Sequence, residues 1–335
     1  MRIATYNVEW FNSLFARDGT LLRDGEWSGR HNVTRAAQAD ALRHVFTAID
    51  ADAIMVIEAP DIHARRDGVA ALEGFAKWAG LRACAGQAGF YNETQQEITL
   101  LYDPALLGAV HTPHSTQEAP QFDGVLAIDL DIDATPEQVR FSKPPLELTV
   151  QSKSTGASFQ MIGVHAKSKA PHGARGAEAV MRISIENRRK QLAQCVWLRR
   201  RVVEHLAAGT PLIVLGDFND GPGLDEYERL FGRSGIEVVL GSDSEHPLFD
   251  PHAQQAIAQR VGAAPTSARF WLAPEGRYLQ ALLDYIMVSA DLRARGPRWR
   301  IWHPFDDPVC YHDPALREAL LTASDHFPVT MDIDL

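Results

Sequence analysis

Short apolar runs rich in β-branched residues recur along the chain, and each has the length of a buried strand bounded by polar turns. These runs predict strands at Arg2–Val8, Ala53–Ile57, Ile98–Tyr102, Val125–Leu130, Leu146–Gln151, Phe159–His165, Leu212–Gly216, Ile236–Leu240, Tyr285–Ser289, Arg298–Trp302 and Val329–Ile333. Several runs follow one another without a helical stretch between them, which favours two packed sheets over a doubly wound parallel sheet.

Helical spacing of apolar residues appears in two longer stretches, Leu42–Ile49 and Leu192–Leu206, each with charged residues on the opposite side. We expect these helices to cover the faces of the sheets. The long helical pattern around the second stretch contains the basic runs 188–190 and 199–201. They predict a solvated face, with contact to nucleic acid as the alternative.

The composition is that of a globular protein, with 45% hydrophobic and 23% charged residues in a chain of 335. This length predicts two domains or one large domain of two packed halves. The three cysteines lie far apart in the sequence, which argues against a disulfide framework and against a thiolate zinc site. The sequence contains no signal peptide and no apolar run long enough for a membrane span, so we expect a cytoplasmic protein.

The net charge is −10, from 33 basic and 43 acidic residues with neutral histidine. It disfavours a broad basic face that binds nucleic acid non-specifically, because such binding rests on Lys and Arg. It does not exclude phosphate chemistry, since carboxylates gathered around a divalent cation present the substrate with a positive centre. No feature of the sequence indicates an obligate protein partner.

Polar residues stand at the ends of the apolar strands. They are Asn7, Glu9, Glu58, His165, Asp217, Asn219, Asp284, Asp325 and His326. An ionised carboxylate is costly to bury unless it has a partner or a metal ion. Because so many strand ends carry such residues, we expect them to share one site.

Six blocks, in the order in which they occur, resemble the signature blocks of the endonuclease/exonuclease/phosphatase superfamily: TYNVEW, VIEAP, GVHAKSK, VLGDFND, LLDYIMVS and SDHFPV. Members of this superfamily include DNase I, exonuclease III-type repair nucleases, neutral sphingomyelinases and inositol-phosphate 5-phosphatases. The resemblance covers nearly the whole chain. It implies a single domain over residues 1–335, built of two halves at about 1–155 and 156–335. It also implies an α+β fold, a four-layer αββα sandwich of two packed, mainly antiparallel sheets with helices outside and the site at one rim.

Hydrolysis of a phosphate ester requires neutralised phosphoryl oxygens, an activated water and a proton for the leaving oxygen. Glu58 and Asp325 supply hard oxygen ligands that suit Mg²⁺ or Mn²⁺. The resemblance adds Asn7 and Glu9 to the metal ligands. Asn7 and Asn219 are neutral, so they can orient a water or bind a phosphoryl oxygen of the substrate without repelling it.

The catalytic roles of the remaining residues are alternatives. His326 is a base or a stabiliser of the charge on the phosphorane-like transition state, with Asp284 accepting the other ring N–H. The resemblance makes Asp217 a base or a water-positioning group, and His165 a proton donor or a phosphate contact. Lys167 would face the same way as His165 if the strand continued, and would then neutralise a phosphate.

These residues predict a divalent-metal-dependent phosphoesterase that hydrolyses phosphodiester bonds, with DNA or RNA as the substrate expected first. A hydrolase of small or lipid phosphoesters, similar to a sphingomyelinase or an inositol phosphatase, is the alternative enzyme. A catalytically inactive binding scaffold is the third hypothesis, and the complete set of site residues argues against it.

The segment Phe11–Asn32 is longer than this part of compact members of the superfamily, and we expect it to form a lid that selects the substrate. The tryptophans of the chain are expected to pack against other residues and not to stack on bases.

Overall fold

Two large sheets form the centre of the fold in a computed structural model that describes residues 1–91, 96–130, 136–171, 173–224, 228–258, 263–272 and 276–335. The strands are β1 Arg2–Asn7, β2 Ala53–Ala59, β3 Ala85–Ala88, β4 Glu97–Tyr102, β5 Leu107–His111, β6 Leu126–Ile128, β7 Glu137–Val139, β8 Leu146–Ser152, β9 Ser158–His165, β10 Leu212–Asp217, β11 Ala268–Leu272, β12 Arg277–Ala281, β13 Asp284–Val288, β14 Arg298–Ile301 and β15 Val329–Asp332. The helices are α1 Arg35–Ile49, α2 Gly68–Ala79, α3 Ala177–Ala207, α4 Glu228–Phe231, α5 Gly235–Leu240, α6 Pro251–Ala258, α7 Ala290–Arg293, α8 Pro308–His312 and α9 Pro314–Ala323.

The first sheet has the strand order β14-β15-β1-β2-β4-β3, and the second has the order β13-β10-β9-β8-β5. Strand pairs are antiparallel except β1 with β2 and β9 with β10, which are parallel. Two separate hairpins, β6 with β7 and β11 with β12, complete the pairing. The expected pair of packed, mainly antiparallel sheets is confirmed.

The alternation of side chains along each strand explains the four layers. On β2, Met55 packs between the two sheets, while Val56 faces the core under helices α1, α2 and α9. On β10, Leu215 packs between the sheets and Val214 faces helix α3. Both faces of these strands are buried, which is why they appear in the sequence as continuous apolar runs.

The division expected near residue 155 does not separate the two sheets. Strands β14 and β15 of the first sheet come after it in the chain, and strands β5 and β8 of the second come before it. Each sheet is therefore built from both parts of the chain. None of the described helices is both long and apolar enough to cross a membrane.

The strand predicted at Ile236–Leu240 is wrong, because these residues form helix α5. Ser234 accepts a hydrogen bond from the backbone N–H of Glu237, and the Glu237 carboxylate accepts one from the backbone N–H of Ser234. This capping box begins the helix, and Gly241 in the left-handed conformation ends it. Local capping outweighs the β propensity of the two valines.

The basic runs of helix α3 do not form the predicted solvated face throughout. Arg188 and Arg201 are almost fully buried, with 1% and 0% of each residue exposed. Arg201 donates to the Glu147 carboxylate at 3.3 Å and to backbone carbonyls of the segment before β6. The Arg201 guanidinium therefore has structural partners.

Candidate active site at the common edge of the two sheets

Three of the predicted residues lie side by side where strands of the second sheet meet one edge. In the register of β9, β10 and β13, Asp217 pairs with His165 on one side and with Asp284 on the other. All three residues are buried, with no more than 7% of each exposed. The register of three strands therefore sets the spacing of these side chains.

Asn7 brings the first sheet to the same edge. It is the last residue of β1, and its Nδ2 donates to Asp217 Oδ2 at 2.9 Å. This hydrogen bond joins the ends of the two sheets directly above their shared core.

Glu58 enters the site through a β-bulge. The register of β2 with β4 shifts between Ile57 and Ala59, and Glu58 between them has a φ of 63°. Its Oε2 accepts hydrogen bonds from Gln96 Nε2 at 2.7 Å and from the backbone N–H of Trp10 at 3.3 Å. Burial raises the pKa of Glu58. Strained backbone and a carboxylate of raised pKa are both typical of functional sites.

Ser324 bonds the segment Ser324–His326 to the end of β1. Its hydroxyl donates to the backbone carbonyl of Asn7 at 2.8 Å and accepts from the backbone N–H groups of Glu9 and His326, each at 3.1 Å. The two residues that follow, Asp325 and His326, are thereby held at the common edge.

His326, which precedes β15 of the first sheet, forms an ion pair with carboxylates of the second sheet. Its Nδ1 lies 2.8 Å from Asp284 Oδ2, which also accepts from the Ser267 hydroxyl at 2.8 Å, and its Nε2 lies 3.9 Å from Asp217 Oδ2. Burial by itself lowers the pKa of His326, but Asp284 and Asp217 together raise that pKa well above its usual value. Burial raises the pKa of Asp217 to about 6. A cationic imidazolium is thus held between two carboxylates.

His165 is neutral, unlike His326. Its Nε2 lies 3.7 Å from Asp217 Oδ2 and its Nδ1 lies 3.3 Å from the Lys143 ammonium. Burial lowers its pKa well below the usual value, and the charges of Lys143 and His326 lower it further. The neutral ring can accept from Lys143 at Nδ1 and carry its proton on Nε2.

The oxygen ligands predicted for a metal ion fit that ion in this arrangement. Asn7 Oδ1 and Asp325 Oδ1 are buried and have no hydrogen-bond partner among the residues that the structure describes. Burial, reinforced by the charge of Glu9, raises the pKa of Asp325 to about 7 although His326 opposes the shift. Unpaired hard oxygens and crowded carboxylates suit Mg²⁺ or Mn²⁺, so Asn7, Glu58 and Asp325 are the candidate ligands.

A different group, Asp217, Asp284 and His326, has ligand atoms within 4.8 Å of one another. Asp284 Oδ2 is already bonded to the imidazole and to a serine hydroxyl. We therefore interpret this group as an ion pair beside a carboxylate, and not as the metal site.

Glu9 has a protein cation as its partner. Its carboxylate pairs with the guanidinium of Arg30, which also donates to the backbone carbonyl of Leu321 at 3.1 Å. Arg30 belongs to the segment Phe11–Asn32, so that segment reaches the rim of the site. Its first residues are anchored, since Phe11 and Leu14 are fully buried.

Asn219 lies where predicted and supports Asp217. Its backbone N–H donates to Asp217 Oδ1 at 2.8 Å, and its side-chain amide donates to Asp217 Oδ2 at 3.2 Å. Lys167 does not lie on a continued strand, because β9 ends at His165. Among the described residues that line the cavity, the lysines are Lys143 and Lys169.

Lys143, Gln96 and Ser267 are site residues that the sequence analysis missed. Lys143 donates to Gln96, Gln96 donates to Glu58, and Ser267 donates to Asp284. Each lies in a connection between strands or just before one, and none belongs to a motif. No signal in one sequence identifies them, because their positions depend on tertiary contacts.

A cavity of about 790 Å³ opens at this edge. Its polar lining residues include Asn7, Glu58, His165, Asp217, Asp325 and His326. Its apolar lining residues, which we call the apolar wall, include Leu224, Phe270, Leu272, Leu279, Ala281 and Leu283. Trp10 also lines the cavity and is 47% exposed, which differs from the packing role expected for tryptophans.

The family model described as Endonuclease/Exonuclease/phosphatase family matches residues 4–326. The chain therefore belongs to this family, whose members are hydrolases of phosphoesters and generally depend on a divalent metal. A comparison with curated proteins gives no match.

Solved structures with the same fold cover the whole chain at low sequence identity. The mannosyl-6-phosphatase of Bacteroides thetaiotaomicron is 13% identical with a TM-score of 0.50, covering 100% of both chains. TDP2 of D. rerio, complexed with a single-strand DNA product, is 11% identical with a TM-score of 0.50, covering 100% of this chain and 99% of that chain. The human Nocturnin catalytic domain with bound sulfate is 14% identical with a TM-score of 0.49, covering 100% of this chain and 94% of that chain. The two structures with a TM-score of 0.50, together with the two packed sheets, establish the DNase I-like fold.

Proposed function

We propose that this protein hydrolyses phosphodiester bonds with the help of a divalent cation, Mg²⁺ or Mn²⁺. The observation that carries the proposal is that Glu58, Asp217 and His326, which lie far apart in the sequence, line one cavity. The raised pKa values of Glu58 and Asp325 support a cation beside them. When bound, the cation would neutralise a phosphoryl oxygen and polarise the P–O bond.

Asp217 is the proposed base that orients and deprotonates the attacking water. Three hydrogen bonds from Asn7 and Asn219 hold its carboxylate in one orientation. A pKa of about 6 leaves the group ionised at neutral pH while keeping it basic enough to accept a proton. Of the two alternatives for the base, we assign the role to Asp217 because His326 is already protonated.

His326 is the proposed stabiliser of negative charge on the phosphoryl oxygens, and Asp284 keeps the imidazole oriented and charged. His165 is the proposed contact to the phosphate, to which its neutral ring donates a hydrogen bond through Nε2. Lys143, and not Lys167, is the proposed lysine beside the phosphate, because it lines the cavity next to His165.

Two substrate classes are candidates. Nucleic acid is supported by the similarity of the motifs to those of nucleases and by Trp10, which offers a half-exposed ring on the cavity where a base could stack. A small or lipid phosphoester is supported by the apolar wall, which lies directly beside the catalytic groups.

The test is hydrolysis by the purified protein, in Mg²⁺ and in Mn²⁺, of plasmid DNA, single-stranded oligonucleotides and bis(p-nitrophenyl) phosphate. We expect the small diester to be cleaved in either ion. Cleavage of the oligonucleotides as well would support the nucleic-acid class, and cleavage of the small ester alone would exclude it. If none of the three is hydrolysed with either ion, the proposed phosphodiesterase activity is wrong.

A further inference from the structure

Four of the six residues of the apolar wall lie on one face of the β11–β12 hairpin. Side chains alternate along a strand, and in this register Phe270 of β11 pairs with Leu279 of β12. Leu272 on β11 and Ala281 on β12 share that face, and all four residues line the cavity. The hairpin therefore presents an apolar surface to the interior of the site, and Arg277, the register partner of Leu272, stands at the turn end of that face.

The opposite face of the hairpin is stabilised by aromatic and cationic contacts. The guanidinium carbon of Arg269 lies 3.3 Å from the ring centroid of Tyr278, and the rings of Trp271 and Tyr278 lie 4.9 Å apart. An isolated two-stranded hairpin is marginally stable in water, so these contacts help to keep the apolar wall in place.

The hairpin is also bonded to the segment that carries Asp325 and His326. The backbone N–H of Arg269 donates to the carbonyl of Asp325 at 2.7 Å, and the backbone N–H of Phe327 donates to the carbonyl of Ser267 at 2.6 Å. The Phe270 ring meets the His326 ring edge to face, with centroids 5.4 Å apart. The apolar wall is thus fixed relative to the catalytic imidazole.

The chemistry of the apolar wall limits what can bind to it. Leucine, phenylalanine and alanine side chains offer neither donors nor acceptors, so the polar edges of a nucleobase would lose their hydrogen bonds with water there. The lysines among the described lining residues, Lys143 and Lys169, are hydrogen-bonded to Gln96 and Asp220. A polynucleotide track needs a series of basic side chains along it.

We propose that the apolar wall binds the aliphatic chain of a phosphoester whose phosphate lies beside His326. This inference rests on the proposed phosphodiesterase function and selects the apolar ester from its two candidate substrate classes. The wall adjoins the reacting phosphate, so the chain it holds belongs to the group attached to that phosphate.

The test is the binding of n-alkylphosphonic acids, from methyl to hexyl, measured by titration calorimetry in the presence of Mg²⁺. These probes carry one organic group and cannot be hydrolysed. We expect the dissociation constant to fall about three- to fourfold for each added methylene until the cavity is filled. In Leu272→Asn and in Leu279→Asn the dependence on chain length should be lost, while methylphosphonate binds as it does to the wild type.

Leu106→Asn is the matched control, since Leu106 is 39% exposed in the turn between β4 and β5 and does not line the cavity. It should keep the full dependence on chain length. Equal affinity for methyl and hexyl probes, or no binding of any of them, would overturn the inference. A single-stranded oligonucleotide whose binding weakens in Leu272→Asn would also overturn it and would assign the apolar wall to a base.

The inference and the proposed function fail in different ways. If bis(p-nitrophenyl) phosphate is hydrolysed but alkyl chain length has no effect on binding, only the inference about the apolar wall is wrong. If no phosphodiester is hydrolysed with Mg²⁺ or Mn²⁺, the proposed function itself is wrong, whatever the phosphonates do.

Discussion

The side chains of the site differ in charge state because their surroundings differ. His326 lies between two carboxylates and keeps its proton, whereas His165 lies beside an ammonium group in a buried position and stays neutral. A cationic and a neutral imidazole at one cavity can serve two roles, one in stabilising charge and one in donating a hydrogen bond to the phosphate.

Replacement of Asp217 by Asn tests the proposed base. The amide can keep hydrogen bonds to its neighbours but cannot accept the proton of the attacking water, so we expect kcat for bis(p-nitrophenyl) phosphate to fall by about 10²- to 10⁴-fold. Circular dichroism should show an unchanged fold. Asp243→Asn, at an exposed position outside the cavity, is the control and should leave kcat unchanged. Full activity of Asp217→Asn would exclude the assigned role.

At the scale of single residues, the motifs predicted which side chains converge on the site. They did not predict every residue that contacts those side chains. The polar strand ends from Asn7 to His326 were identifiable because polar residues interrupt apolar runs. The sequence VIEAP contains no feature that predicts the β-bulge at Glu58. The position of Lys143 depends on the packing of its connection against β9, which periodicity does not report.

At the scale of strands and helices, the positions of the strand ends determine the geometry of the site. Gly216 shows how closely β10 packs against β9. Its φ is 139°, and a Cβ at this position would lie 2.0 Å from the backbone carbonyl oxygen of Val164. The residue before Asp217 must therefore be a glycine for β10 to approach β9.

Gly216→Ala should lower the free energy of unfolding by about 2 to 4 kcal/mol, from steric overlap with rigid backbone and from an unfavourable φ. The measurement is urea denaturation at pH 7. Gly108→Ala on β5 is the control, since its added Cβ would meet no atom within 4 Å. Equal stability of the two variants would show that the approach of β9 to β10 is not constrained in this way.

Asp307 links the end of β14 to helix α8. Its carboxylate caps the helix by accepting from the backbone N–H of Cys310, and it accepts two hydrogen bonds from the guanidinium of Arg300, at 2.7 and 2.8 Å. Although burial opposes the shift, these hydrogen bonds lower the pKa of Asp307 in the folded protein. The stabilisation is therefore present above the unfolded pKa of about 4 and is lost as the pH falls through the folded pKa.

Asp307→Asn should keep the cap but lose the charge. We expect a loss of about 1 kcal/mol at pH 7, which shrinks as the pH is lowered below about 4. Urea unfolding of both proteins at pH 7 and at pH 3.5 measures the difference. A loss that stays the same at both pH values would contradict the ionic origin of the stabilisation.

The predictions of helices and strands failed in two situations: where helix capping outweighed strand propensity, and where the strands were short. Ile236–Leu240 has the composition of a strand, but the capping box of Ser234 and Glu237 makes it a helix. Strands β11 and β12 were not predicted, although they form most of the apolar wall. Their apolar runs are at most three residues long, because Arg269 and Gln280 interrupt them, so they do not form the longer runs on which the strand predictions relied.

For the whole molecule, the resemblance to the superfamily predicted the four layers. The order of the strands in each sheet could not be predicted, because neither composition nor periodicity determines it. Each sheet combines strands from distant parts of the chain, so the site exists only in the assembled fold. Binding of a cation at the junction of the two sheets should therefore stabilise the entire structure.

Removal of divalent ions tests this coupling. Treatment with EDTA should stop hydrolysis of bis(p-nitrophenyl) phosphate, and added Mg²⁺ or Mn²⁺ should restore it. At an ion concentration of 100 times its dissociation constant, the free energy of unfolding should rise by about 2.7 kcal/mol, measured by urea denaturation. Glu58→Gln combined with Asp325→Asn should abolish both effects. Hydrolysis that continues in EDTA would contradict dependence on a metal.

The location of the cation is the most direct test, and a crystal grown with Mn²⁺ gives it through anomalous scattering. We predict a strong peak bonded to Asn7 Oδ1 and to the carboxylates of Glu58 and Asp325. A peak held instead by Asp217, Asp284 and His326, or no peak at the common edge of the sheets, would contradict the proposed site.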